Sequence, residues 1–335
     1  MSVILKRYSL RLADPPPSRD AWEAQRPALL AVMQQVMGPL PGPEKCEPLN
    51  VQVDEEIDCG SYTRRLISYV SEPDCRVPAY LLIPHAALQS PAPAVLCPHP
   101  TDDRIGHKVV VGLGGRANRA YASELAQAGF VTLAPAYPLL GDYRPDWRAL
   151  GYQSGTMKAI WDNMRGLDLL AELPFVAGES FASIGHSLGG HNSIYTAVFD
   201  PRIAVVVSSC GLDSYQDYMD GDITGWTSDR YMPRLKDYAL AELPFDFHDM
   251  IAALAPRPCF ISAPLDDSNF RWRSVDSVVE TARAVYDLYG AGEALQVVHP
   301  DCDHDFPDAV RERAYRVIAE ALGRLGSFDA REARN

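Results

Sequence analysis

Residues 181 to 193 read FASIGHSLGGHNS, and this stretch limits the possible folds more than any other. A short apolar run, Phe181 to Ile184, enters Gly185-His186-Ser187-Leu188-Gly189, and a helix-compatible segment, GGHNSIYTAVF, follows at once. A strand that becomes a helix within so few residues must turn sharply. The apex residue is exposed, and small neighbours let adjacent backbone come close. The serine of this G-x-S-x-G pattern therefore reads as a nucleophile presented at the end of a strand. The positive end of the following helix would face charge developing beside it.

The surrounding rhythm extends this local reading to the chain. VQVDEEID, YTRRLISYV and VPAYLLIP, between about 50 and 85, alternate as antiparallel strands do. After Pro91 strands and helices alternate. Predicted strands are APAVLC, Phe130–Ala134, Phe181–Ile184, Ile203–Ser208, Cys259–Ser262 and Leu295–His299. Helical stretches between them include ANRAYASELAQA, stopped at Gly129, and MKAIWDNMRGLDLLAEL. A last helix after Pro307 sets Val310, Ala314, Val317, Ile318, Ala321, Leu322 and Leu325 on one face. The pattern predicts an α/β fold with a mostly parallel central sheet, helices on both faces and antiparallel N-terminal strands.

Two segments stand outside the rhythm. Residues 1–45 read as an N-terminal helical arm, with helical spacing over Ala21 to Met37 and a break at GPLPGPEKC. Such an arm covers an edge of the main domain, residues 46–330, or forms a homo-oligomer with a second copy. Residues 211–250 are aromatic and turn-rich, lie between two core strands, and are too long for a plain connection. They are expected to form a lid or pocket wall, with Trp226, Tyr231 and Met232 as candidate substrate contacts.

Charge and cysteine usage narrow the partners. A net charge of −13 repels phosphate backbones and anionic lipid, so neither nucleic acid nor a membrane is an expected partner. The seven cysteines are scattered, odd in number and without a CxxC pair, which fits a reducing compartment better than a disulfide framework. The N-terminal MSVILKRYSLRLADPPP lacks a continuous apolar core and a small-residue cleavage site, so a cytoplasmic location is expected.

A serine hydroxyl needs an oriented base to become a useful nucleophile. In chains of this architecture the order is serine, acid, histidine. Of the histidines after Ser187, His191 lies on the following helix, His248 ends the irregular segment and His299 ends a strand. His304, in the turn-rich PDCDHDFPD after the last strand, is placed to return over the carboxyl edge of the sheet. For the acid, the loop after CFIS offers Asp266 and Asp267. Counting from the strand favours Asp266, and the spacing to Phe270, which should pack beneath the loop, favours Asp267. Asp267 is chosen, with Asp266 as the alternative. The oxyanion donors are expected to be the amides of Leu188 and of Thr101, since Pro100 has no amide hydrogen. His99 is a further candidate for shaping that loop or the pocket.

Other signals are weaker. GLGG at 112–115 is not a dinucleotide fingerprint, because Ala117 stands where the third glycine belongs and no acid follows the next strand. The acids around His304 show no spaced metal-ligand set, so no metal or other cofactor is expected.

With these residues placed, the chain resembles the α/β-hydrolase superfamily beyond about residue 50, and most closely its dienelactone-hydrolase-like and acetyl-xylan-esterase-like branch. The stretches that carry the likeness are HPTDD at 99–103, GLGGRANRAYASELAQAGFVTLAP at 112–135 and GHSLGGHNS at 185–193. SSCG at 208–211, PLDDSNF at 264–270 and DHDFP at 303–307 add to it. The resemblance implies the α/β-hydrolase fold, a Ser187–Asp267–His304 triad and ester hydrolysis without a cofactor. Dienelactone hydrolases proper use a cysteine nucleophile where this chain has Ser187, so their substrate does not carry over. The expected activity is that of a serine carboxylic-ester hydrolase acting on a small-molecule ester, acetyl or another short acyl. An amide or peptide hydrolase with the same triad, or a non-catalytic binding protein of the same fold, is the alternative.

Overall fold

The computed structural model describes residues 15–324, so residues 1–14 of the expected arm and 325–330 of the expected main domain lie outside it. Nine strands form one sheet: β1 Gln52–Asp58, β2 Tyr62–Glu72, β3 Cys75–Pro84, β4 Ala94–Leu96, β5 Val131–Pro135, β6 Phe181–His186, β7 Ile203–Ser209, β8 Cys259–Ser262 and β9 Leu295–Val298. Their order across the sheet is β1-β2-β3-β5-β4-β6-β7-β8-β9. β1, β2 and β3 pair antiparallel, and so do β3 and β5. From β5 onward every neighbouring pair is parallel.

Alternating side chains on the strands build a core on each face. Ala79, Leu81 and Ile83 of β3 join one apolar cluster, while Tyr80 and Leu82 join the other. On the first face lie the helices α1 Arg19–Met37, α3 Gly155–Glu172, α4 Leu188–Phe199, α5 Phe247–Ala252 and α6 Trp272–Leu288. On the second lie α2 Tyr121–Gln127 and α7 Asp308–Ala321. Serine caps start two of the long helices: Ser18 Oγ accepts from the Ala21 amide at 3.2 Å, and Ser154 Oγ from the Met157 amide at 3.0 Å. α2 is shorter than the pattern suggested, because Ala117–Arg119 forms a separate 3-10 turn before it.

Both irregular segments pack onto this frame. Trp22, Leu29, Met33, Val36 and Met37 of α1 are buried in the first core, and Arg26 donates to the carbonyls of Val198 and Ala253. The apolar face of the arm is thus occupied by its own chain. Residues 211–250 form short 3-10 turns and the start of α5, held down by Trp226, Met232, Leu235, Phe245 and Phe247. No helix among the described residues is long and apolar enough to cross a membrane.

Candidate active site

Parallel strands end at one rim, and the loops leaving β4, β6, β7, β8 and β9 there carry the candidate residues. Ser187 sits between β6 and α4 at φ 55° and ψ −121°, a conformation few non-glycine residues adopt. Its amide donates to the Ser209 carbonyl of β7 at 2.7 Å. The flanking glycines are required by closeness. A Cβ on Gly185 would stand 2.1 Å from the carbonyl carbon of Gly189, and one on Gly189 would stand 2.2 Å from the Pro98 carbonyl oxygen. The serine turn is therefore packed directly against the loop after β4.

In that loop His99 is buried, its Nδ1 donating to the Pro100 carbonyl at 2.7 Å and its Nε2 accepting from the Tyr137 amide at 2.9 Å. That pairing requires a neutral ring, and burial pushes its pKa down to about 4. His99 fixes the path of the loop from within and is not among the residues that line the pocket. Thr101, two residues on, does line it. Neither the Thr101 nor the Leu188 amide has an acceptor among the described residues.

The candidate base and acid come from the loops after β9 and β8. His304 Nδ1 lies 2.9 and 3.0 Å from the two carboxylate oxygens of Asp267. Asp267 Oδ1 also accepts from the amides of Asn269 and Phe270 at 2.8 and 3.2 Å, so the carboxylate is anchored by its own turn. Asp266 points to solvent, and its amide donates to the Cys302 carbonyl. Phe270 is buried beneath the loop, its ring 5.9 Å from that of His304.

Ser187 and His304 line one pocket of about 340 Å³ with Pro100, Thr101, Arg116 and Arg119. Among the described residues no hydrogen bond joins the serine hydroxyl to the imidazole. Uncomplexed active sites commonly show such looseness. The sequence reading passed over His186, whose ring lies 4.8 Å from that of His304 and whose Nδ1 meets Ser209 Oγ at 3.1 Å. Burial, followed by the positive charge of Arg119, lowers its pKa well below the usual value and keeps it neutral.

Sequence reasoning also missed the clamp on the His304 loop. Arg119 is buried, pairs with Asp305 and donates to the His304 carbonyl at 3.2 Å. Asn118 Nδ2 reaches both oxygens of Asp305 at 2.7 and 2.8 Å. Burial opposes ionisation of Asp305, but the hydrogen bond from Arg119 and its neighbours outweighs it, and the pKa is lowered. The acid-rich loop was visible in the sequence; its cation, 186 residues away, was not.

The insertion contributes less to this pocket than expected. Trp226 and Met232 are buried in its own packing and do not line the pocket. Tyr231 comes nearer, its hydroxyl 3.3 Å from Thr101 Oγ1. The three other late histidines lie apart from Ser187's pocket: His191 is buried among Tyr195, Trp226 and Tyr231, His248 sits beside Asp249, and His299 pairs with Asp276.

No family model matches the chain. A curated protein of Bacillus subtilis (strain 168), named "Putative hydrolase YtaP", is 25% identical over 258 residues, which cover 74% of this chain and 84% of that protein. Among solved structures, a glucuronoyl esterase from Solibacter usitatus superposes with a TM-score of 0.75 at 19% identity, covering 96% of this chain and 98% of its own. A promiscuous esterase from a marine bacterial metagenome gives 0.72 at 16% identity, covering 95% and 99%. Acetyl xylan esterase 1 from a Thermoanaerobacterium species gives 0.58 at 15% identity, covering 96% and 99%. The chain has the α/β-hydrolase fold.

Proposed function

We propose that the protein is a serine carboxylic-ester hydrolase acting on a small-molecule ester with an acetyl or other short acyl group. The observation that carries this reading is the His304 ring, with one nitrogen held by the anchored Asp267 carboxylate, in the same pocket as a serine on a strained strand-to-helix turn.

In this mechanism the Ser187 hydroxyl attacks the ester carbonyl while His304 Nε2 takes its proton. Asp267 keeps the Nδ1 proton in place and stabilises the imidazolium. The amides of Leu188 and Thr101 receive the tetrahedral oxyanion, aided by the N-terminus of α4. His304 then protonates the leaving alcohol. A water activated by the same nitrogen hydrolyses the acyl-enzyme, and Ser187 regains its proton.

The solved neighbours named as esterases and the relative named as a hydrolase support this reaction class. The pocket's volume of about 340 Å³ supports a small-molecule substrate. Rapid mixing with a p-nitrophenyl ester tests the scheme: a burst of phenolate equal to the enzyme concentration, followed by a slower steady state, is expected. Ser187→Ala must lose both phases while keeping the native circular dichroism; retained turnover in that variant refutes the mechanism.

A further inference from the structure

Cys210 follows β7 in the row of loops that carries Ser187, Asp267 and His304, and the proposed ester chemistry leaves its thiol without a role. It is buried at φ 48°, with its amide donating to the Ser262 carbonyl and its Sγ to the Asp305 carbonyl at 3.2 Å. Thiol, carboxylate and imidazole atoms of Cys210, Asp267 and His304 all lie within 4.8 Å of one another. No other group of three metal-ligating side chains this close occurs among the described residues.

We infer that Cys210, Asp267 and His304 form an inhibitory binding site for a borderline-soft divalent cation, with zinc as the fitting ion. The donor set selects the metal: one sulfur, one imidazole nitrogen and one carboxylate oxygen suit zinc and are poor ligands for magnesium or calcium, which prefer oxygen alone. Tetrahedral zinc holds such donors about 3.5 Å apart, so the thiol needs to move in by no more than ~1 Å while the Asp267–His304 contact opens from 2.9 Å. The ion forms bonds to Sγ, to His304 Nδ1 and to one Asp267 oxygen. The thiol proton and the Nδ1 proton leave to solvent, where buffer takes them. The pair that orients the imidazole toward Ser187 is thereby broken, and the base is locked to the metal. Entry is from the side of His304, whose loop is the exposed part of the cluster.

Binding at this site does not depend on the chemistry assigned to Ser187, whereas inhibition does, and the test separates the two. Cobalt(II) added to the full chain reports thiolate ligation by its sulfur-to-metal charge-transfer absorption. The band is expected in the unaltered protein and in a Cys46→Ser, Cys59→Ser, Cys302→Ser variant that lacks the exposed and half-buried thiols. It should vanish in Cys210→Ala. Zinc should suppress ester turnover reversibly, with EDTA restoring it and magnesium inert, and Cys210→Ala should need about 10- to 100-fold more zinc. Should Cys210→Ala not fold, zinc-edge X-ray absorption of the three-serine variant counts sulfur ligands directly: one is expected, and none overturns the site. A cobalt band that is absent, or that survives Cys210→Ala, also overturns it. So does zinc inhibition of equal strength in the two proteins. Absence of any ester turnover, with the cobalt band present, would sink the hydrolase reading and leave the metal site standing.

Discussion

The choice between two adjacent aspartates shows how much single residues decide. A side chain at 266 leaves the loop toward solvent, while one at 267 turns inward to His304 and is held by two amides. Asp267→Asn should lower kcat by about a thousandfold or more, because the amide cannot favour the required tautomer. Asp266→Asn should stay within a few-fold of the parent, and steady-state kinetics on one ester compares the two. Asp213 carries a different prediction. Burial, against only one amide partner from Arg271, raises its pKa from 3.8 to about 7. An acid whose folded pKa is raised stabilises the fold fully only below its unfolded pKa, and that contribution is lost as pH climbs through the folded value. Asp213→Asn should therefore gain on the parent protein between pH 4 and 7, by on the order of 4 kcal/mol, and hold that lead above it. Thermal melts at pH 5, 6, 7 and 8 read this; a gap that does not change with pH contradicts it.

At the scale of elements, legibility followed sequence distance. The strand-to-helix turn at Ser187 is a local pattern, and steric need for Gly185 and Gly189 writes it into adjacent residues. The parallel strands were legible because burial on both sheet faces leaves apolar runs with no polar alternation, as in VVV of β7. What stayed hidden was tertiary pairing. The Arg119–Asp305 clamp joins the turn before α2 to the loop before α7, and neither partner announces the other. The insertion's aromatics misled for a related reason: large rings near a site suggest substrate, yet Trp226 serves to bury an irregular segment that has few backbone ladders of its own. Arg119→Met should free the His304 loop and lower kcat by about 10- to 100-fold, with KM changed far less, if the arginine positions His304 as the proposed base. A loss confined to KM would argue that Arg119 binds substrate instead.

Over the whole molecule, the sheet places six loop ends at one rim, and both cores hold those ends in register. The N-terminal helix belongs to this frame, since its apolar side completes the first core. Trp22→Ala should cost ~3 kcal/mol and move the entire denaturant transition, because the cavity opens inside the shared core. An early separate transition would show instead that α1 unfolds by itself. The proposed chemistry requires the Ser187 hydroxyl to be the group activated in the pocket, and intact-protein and peptide mass spectrometry after exposure to a fluorophosphonate measures that most directly. One phosphonyl group on Ser187, absent in Ser187→Ala and strongly slowed in His304→Ala, is the predicted result. An unlabelled Ser187 in a protein that still cleaves esters would contradict it.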